Sequence, residues 1–478
     1  MKKLLHIILI VFISALAGCT DKFEDFNTDK KHPVIVPGEP LFTNAQKELA
    51  DYTNNTEVNI NIFKLMAQYW TETTYIDEAN YDLVTRNIST NIFFRLYLRV
   101  LGDLKEASTI IEATEVFPFE EDAKQNKLQI IEILNVYVYS HLVDVFGSVP
   151  YFEALDIENV YPKYDPGDVI YNDLFTRLNA ALSNLNPDAE SFGSADLYYG
   201  GDVQSWIKFG NSLKVRMAIT IADADDALAR TSVESAVANV FSSNADDALI
   251  QYQTSSPNYN QLYADLVASG RHDFVPANTI VDIMNTLEDP RRPAYFTEYD
   301  GQYLGGEYGF SNSFSQYSHI SDMIQAPDFP GILLTYSEIC FYLAEAAERG
   351  YNVGETAETW YNRGIQASFD FWNVGPDAGA YLARPDVAYS TATGTWKQKI
   401  AIQSWLASYT RGIEGYNTWR RLDYPIFNLP ENAETYSDIP VRFTFPINEQ
   451  TLNAVNYNAA STAIGGDLIT TKVFWDIF

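Results

Sequence analysis

Two stretches of this 478-residue chain set aromatic rings among hydrogen-bonding side chains closely enough to hold a ligand. The first runs from Gln68 to Tyr81 and carries Trp70, Tyr75 and Tyr81 with Asp77 and Asn80 in an otherwise hydrophilic run. The second, Tyr295 to Tyr317, places Tyr299, Tyr303, Tyr308, Phe310, Phe314 and Tyr317 among glycines and asparagines, and Gly305 and Gly306 are expected to free the backbone there. A tyrosine ring can cover the apolar face of a pyranose while its hydroxyl reaches equatorial OH groups, so sugar binding is the chemistry these stretches suit. Aromatic residues make up 14% of the chain, so most rings must nevertheless be core. For Trp70 the competing expectation is a core position at a helix end.

Bond-making chemistry finds no comparable arrangement. There is no G-x-S-x-G elbow, H-E-x-x-H helix, Walker loop or G-x-G-x-x-G turn after a strand, and no catalytic residue is expected. Glu338 and Glu345, seven residues apart on one helical face, could form an acid pair, but capping and salt-bridge roles are the expectation. Arg420 and Arg421 are expected to pair with internal carboxylates such as Glu414. Asp223-Ala224-Asp225-Asp226 lacks the ligand spacing of an EF-hand and is read as a solvated turn. Few histidines and cysteines are present, so neither a metal nor another cofactor is expected. With 63 acidic against 32 basic residues, net −31, nucleic acid and other polyanions are poor partners.

The N-terminus sets the compartment. Lys2 and Lys3 precede an apolar run, Leu4 to Ile13, too short to span a bilayer, and Leu16-Ala17-Gly18-Cys19 follows. Residues 1–18 therefore read as a lipoprotein signal peptide, with Cys19 the lipidated new N-terminus. That leaves Cys340, in the apolar run Ile339-Cys340-Phe341-Tyr342-Leu343, as a buried thiol without a disulfide partner. Residues 19–41, acidic and then punctuated by Pro33, Pro37 and Pro40, read as a tether to a single globule. No later stretch is long and apolar enough for a membrane span, so the acyl chains are the expected anchor.

The elements that must position the aromatic stretches are helices. Apolar residues at three- and four-residue steps predict helices over Asn126–Phe146 and Asp168–Leu185, Val203–Ala222 and Thr231–Phe241, and Leu334–Arg349 and Glu355–Trp372, with helical patterning starting near Phe42. These form three amphipathic helix–turn–helix units resembling tetratricopeptide repeats. Between the second and third lies an aromatic-rich insertion, Gln251 to Pro330, with little helical periodicity, and loops that long are usually functional.

Several segments resemble the SusD/RagB family of nutrient-binding lipoproteins, and the likeness extends over nearly the whole mature chain. They are Asp25-Phe26-Asn27-Thr28-Asp29, Asp144-Val145-Phe146-Gly147-Ser148-Val149-Pro150-Tyr151, Asp289-Pro290-Arg291-Arg292-Pro293, Thr335-Tyr336-Ser337-Glu338 with Ala344-Glu345-Ala346-Ala347, Gly415-Tyr416-Asn417-Thr418-Trp419-Arg420-Arg421, and Arg442-Phe443-Thr444-Phe445-Pro446. The resemblance implies a mostly α-helical, single SusD-like domain with tetratricopeptide-like pairs and ligand-binding loops on one face. It implies no enzymatic activity, an outer-membrane location facing the cell exterior, and docking on a SusC-type TonB-dependent transporter. Its glycan-binding members would have Trp70 and Tyr75 stack on sugar and Asp77 and Asn80 bond hydroxyls, with Tyr81, Tyr303, Tyr308, Phe310 and Tyr317 as further candidates. One branch of the family binds oligopeptides, so glycan and peptide both stay open as ligands, and the net charge favours a neutral glycan.

Overall fold

The fold is that of a computed structural model describing residues 37–430 and 439–478. The expected signal peptide, Cys19 and the tether as far as residue 36 lie outside the described residues. Helix α1 (Gly38–Asn54) begins inside the stretch read as tether. Pro40 is tolerated there because N–H groups of a first turn have no intrahelical acceptor. Against α1 packs α2 (Gly102–Ala113), which continues a π-helical turn over Phe94–Leu101.

The three helix pairs form, each helix packed on its sequence neighbour. They are α3 (Glu121–Phe146) with α4 (Gly167–Asn184), then α5 (Val203–Thr220) with α6 (Asp226–Ala236). Helix α6 starts five residues before its predicted Thr231, because Asp225 caps it by accepting from the Leu228 amide at 3.0 Å. Asp223, in the same run, pairs with Arg349 at 2.7 Å, so this run is a cap and an ion-pair partner as well as a turn.

The insertion is less irregular than its composition suggests. It contains α7 (Asn278–Thr286), and short strands tie it to distant chain: β1 (Trp70–Glu72) pairs antiparallel with β5 (Phe274–Pro276). Elsewhere β2 (Val149–Pro150) pairs with β3 (Tyr164–Asp165), and β4 (Ala248–Ile250) with β6 (Gly331–Leu334). Leu334 is thus strand, and the third pair, α8 (Tyr336–Glu348) with α9 (Ala357–Phe371), starts two residues later behind Thr335, whose hydroxyl accepts from the Glu338 amide at 3.3 Å. Cys340 on α8 is buried, and burial pushes its thiol up to about 12.

Helices α10 (Trp396–Ala407) and α11 (Gly412–Leu422) close the domain against α8, α9 and the chain at 63–66. Their charged residues are spent internally. Glu338 pairs with Arg411 at 2.5 Å, Glu414 with Arg411 at 3.2 Å and Arg216 at 3.3 Å, and Glu345 with Arg349 and Arg421, both at 2.9 Å. Arg421 thus finds an internal carboxylate as expected, Glu345, while Arg420 instead donates to the Val441 carbonyl at 2.8 Å and to Asn417. Asp289 and Arg291 pair at 2.6 Å with both side chains fully buried.

Candidate ligand-binding face

The strand pair β1–β5 ties the first aromatic stretch to chain some two hundred residues away, just ahead of α7. Beyond the pair, Thr73 N donates to the Asp273 carbonyl at 2.8 Å and the Thr73 hydroxyl to the His272 carbonyl at 2.7 Å, so the ladder runs on into the loop. Asn312 then fastens the second stretch to the first: its amide N–H donates to the Thr73 carbonyl at 3.1 Å, and its side chain donates to the carbonyls of Glu72 and Phe310 at 3.2 and 2.7 Å. Gly305 and Gly306 serve this closeness. Their backbones are not left-handed, but a Cβ on Gly305 would stand 2.6 Å from the backbone of Asn278, and one on Gly306 2.7 Å from Val275.

Burial divides the expected ligand residues. Trp70 is 0%, Tyr308 1% and Tyr81 2% exposed, which takes all three out of the expected ligand-binding set and gives Trp70 its alternative, a core position. Trp70 Nε1 donates to the Tyr409 hydroxyl at 2.8 Å, and the Tyr308 hydroxyl donates to the Leu65 carbonyl at 3.0 Å. Each polar tip is thereby satisfied inside the core, as buried tyrosine and tryptophan require. Tyr81 lies against Gln68 and the Tyr308 ring. Asn80 is also buried: its amide donates to the carbonyls of Ile76 and Gly309, both at 2.8 Å, so it builds the loop and does not face hydroxyls.

Tyr75 and Asp77 do project. Tyr75 is 70% exposed and held with its backbone in the left-handed region, φ 56°, where bulky residues are uncommon. Phe310, Tyr303 and Tyr317 are half-buried on the neighbouring stretch. Reciprocal hydrogen bonds between Leu304 and Ser318, 2.9 Å each, set the last two side by side along the backbone. The guanidinium of Arg292 covers the Tyr303 ring at 5.3 Å.

The structure adds residues that spacing could not assemble. His272, Phe314 and His319 form a column of three parallel rings, with centroids 4.3 and 3.8 Å apart. His319 Nε2 is held 2.9 Å from the Phe314 carbonyl, and His272, at the outer end, is exposed. His272 and His319 are 47 positions apart and share no local pattern. A single signal pointed here, the aromatic richness around Phe314.

Beside the column a polar cavity of about 220 Å3 opens between Glu57, Asn59, Arg86, Asp265, Arg271 and Asp273. Arg271 pairs with Asp273 and lies near Tyr75. Burial, its largest influence, pushes the Asp265 carboxyl up to about 6, so near neutrality it can exchange between accepting and donating. Flat rings next to carboxylates and guanidinium groups can stack on one face of a sugar and bond its hydroxyls. Among the described residues no group of three or more His, Cys, Asp or Glu is placed to hold a metal ion. A larger cavity, about 700 Å3, lies elsewhere, between the end of α3 and the C-terminal residues Val473 and Phe474, and contains none of the expected ligand residues.

Comparison with known proteins agrees with this architecture. Residues 29–446 match the SusD-like family model described as starch-binding and associating with the outer membrane. Among solved structures, a chitin-binding protein is 26% identical with TM-score 0.80, covering 92% of this chain and 100% of its own. A chitin-binding SusD homolog from Flavobacterium johnsoniae is 25% identical with TM-score 0.77, covering 92% and 97%. A SusD homolog from Bacteroides uniformis is 25% identical, also with TM-score 0.77, covering 92% and 99%. No curated protein matches the chain.

Proposed function

The chain belongs to the SusD-like family, and from that membership we propose that it is a non-catalytic surface lipoprotein that binds a neutral oligosaccharide and delivers it to a SusC-type TonB-dependent transporter. The observation that carries the binding role is Tyr75, an exposed ring on a loop fastened from beneath, beside the His272–Phe314–His319 column. Tyr75 stacks on the sugar, Asp77 bonds hydroxyls, and Phe310, Tyr303 and Tyr317 extend the aromatic surface. Two similar structures are named as chitin-binding, which makes chitohexaose the first probe. An acidic protein favours such an uncharged chain over a polyanion.

Calorimetric titration tests the binding role. Tyr75→Ala is expected to weaken the best ligand of a panel of chitohexaose, other neutral glycans and oligopeptides by about thirtyfold, the effect of removing a contact worth about 2 kcal/mol. Its melting temperature should stay that of the parent, because the ring is mostly in water. Unchanged affinity would remove Tyr75 from the binding surface. Preference for an oligopeptide over every glycan would reassign the ligand, and steady release of new reducing ends from a glycan would overturn the non-catalytic role.

The anchor is tested separately. Cys19→Ala, by preventing lipidation, is expected to release the protein from the membrane fraction, since no described helix is long and apolar enough to cross a membrane. In cells lacking the partner transporter, a variant that still sediments with membranes would place the anchor elsewhere.

A further inference from the structure

The loop that presents Tyr75 is conformationally costly. Tyr75 and Tyr81 both sit in the left-handed region, φ 56° and 71°, and for non-glycine residues such backbone persists only where the surroundings enforce it. Beneath the loop lie two glutamates and one cation. Glu72 ends β1 and Glu78 is six residues on, both buried, and Arg86 pairs with Glu78 from the solvent side. Glu72 Oε2 accepts from the Ala79 amide at 2.9 Å, closing residues 72–79 into a ring. Glu78 Oε2 is buried without a hydrogen-bond partner, and the Glu72 carboxyl is close enough for each to act on the other. A protonated carboxyl can donate where two carboxylates cannot, and a donor is what the orphaned oxygen lacks. Burial first, and the charge of Glu78 second, keep the proton on Glu72. The other titratable groups acting on this cluster are Asp77, through Arg86, and the hydroxyl of Tyr308.

We propose that Glu72, Glu78 and Arg86 are positioning residues, a buried carboxyl–carboxyl–guanidinium chain that locks residues 72–82 in the one conformation that presents Tyr75 and Asp77 to ligand. The proposal deepens the glycan-binding role and rests on it for its functional meaning. The chain touches no ligand. Glu72 is the donor, Glu78 the shared acceptor, and Arg86 holds the far side of Glu78 by an ion pair.

Hydrogen exchange without ligand tests the lock directly, read at the amides of Ala79, Asn80, Tyr81 and Asp82, which donate within the loop. Glu72→Ala and Glu78→Gln are expected to speed exchange there by about tenfold or more and to weaken chitohexaose binding by a similar factor. Glu72→Gln should rescue both readouts to within about twofold of the parent, because its amide donates to Glu78 as the protonated acid does and its carbonyl still accepts from Ala79. A merely structural glutamate would give no such distinction. If either glutamate variant fails to fold, Arg86→Met probes the same chain from its partly exposed end and should give the same local acceleration. The proposal is overturned if Glu72→Gln and Glu72→Ala exchange alike, or if Arg86→Met leaves these amides as protected as in the parent. Since the exchange readout needs no ligand, an oligopeptide preference or an unchanged affinity of Tyr75→Ala would revise the binding role and leave the lock itself standing.

Discussion

Replacing Trp70 with alanine is expected to lower the unfolding free energy by about 3–5 kcal/mol, the range for truncating a large buried aromatic. The indole is fully buried, with its Nε1 on the Tyr409 hydroxyl, its ring near Phe274 at 5.9 Å between centroids, and the Lys64 ammonium over its face at 5.6 Å. Truncation opens a cavity, removes the donor to Tyr409 and strips a partner from an ammonium that is itself buried. Burial already pulls Lys64 down to about 7, so its charge has little else to stabilise it beyond the Asn55 carbonyl at 2.8 Å and the more distant Asp265. Urea denaturation measures the loss. Chitohexaose titration in the cold, where the variant remains folded, should show a far smaller effect than Tyr75→Ala. Parent-like stability with lost binding would return Trp70 to the ligand surface.

Arg411→Met should cost a comparable amount, about 3–5 kcal/mol, because it leaves two buried carboxylates with one cation between them. Arg411 lies between Glu338 at 2.5 Å and Glu414 at 3.2 Å and also donates to the Leu333 carbonyl at 3.0 Å, while Arg216 reaches Glu414 alone, at 3.3 Å. The pH dependence identifies the mechanism. Burial raises the Glu338 carboxyl above its ordinary range and Arg411 is the largest influence opposing it, so the variant's Glu338 holds a proton that the unfolded chain releases. A folded-state pKa above the unfolded value stabilises at low pH and loses that contribution as pH rises through the folded pKa. The variant should therefore fall further below the parent at pH 8 than at pH 5. Adding Glu338→Leu should recover much of the loss, since paired removal of buried charges is far cheaper than removal of one partner. A loss under about 1 kcal/mol, flat with pH, would mean that the cluster is hydrated and weak.

The same cluster decides between the two roles open to Glu338 and Glu345. Each is buried and committed to arginine, Glu338 to Arg411 and Glu345 to Arg349 and Arg421, so neither faces a cleft as an acid pair would. Their seven-residue spacing reflects one face of α8 turned towards α11 and the loop that precedes it.

Much of the scaffold was legible because helical patterning is local. In α3 the stripe Ile131, Leu134, Val138, Leu142 and Val145 is written in consecutive turns and needs no partner to be recognised. Helix α10 escaped that test for a physical reason. It is covered on several sides, so Ile400, Ala401, Gln403, Ser404, Trp405 and Leu406 are buried almost without interruption, and no one-sided stripe remains. The strands escaped it by being two to four residues long, shorter than any period can show.

The sequence by itself determined a helical SusD-like domain, three amphipathic pairs, an aromatic-rich insertion and the two stretches from which a binding face is made. Which rings in those stretches meet water was decided by tertiary structure alone. Trp70 and Tyr75 are five residues apart in one aromatic, polar run; the first is buried because β1 pairs with Phe274–Pro276, and the second is exposed because the chain has left that strand and turned through a left-handed residue. The ring column of His272, Phe314 and His319 likewise exists only because Asn312 and Thr73 bring chain segments more than two hundred residues apart into register. Periodicity records how a residue sits on its own element, whereas exposure depends on what distant chain covers it, and no local pattern carries that information.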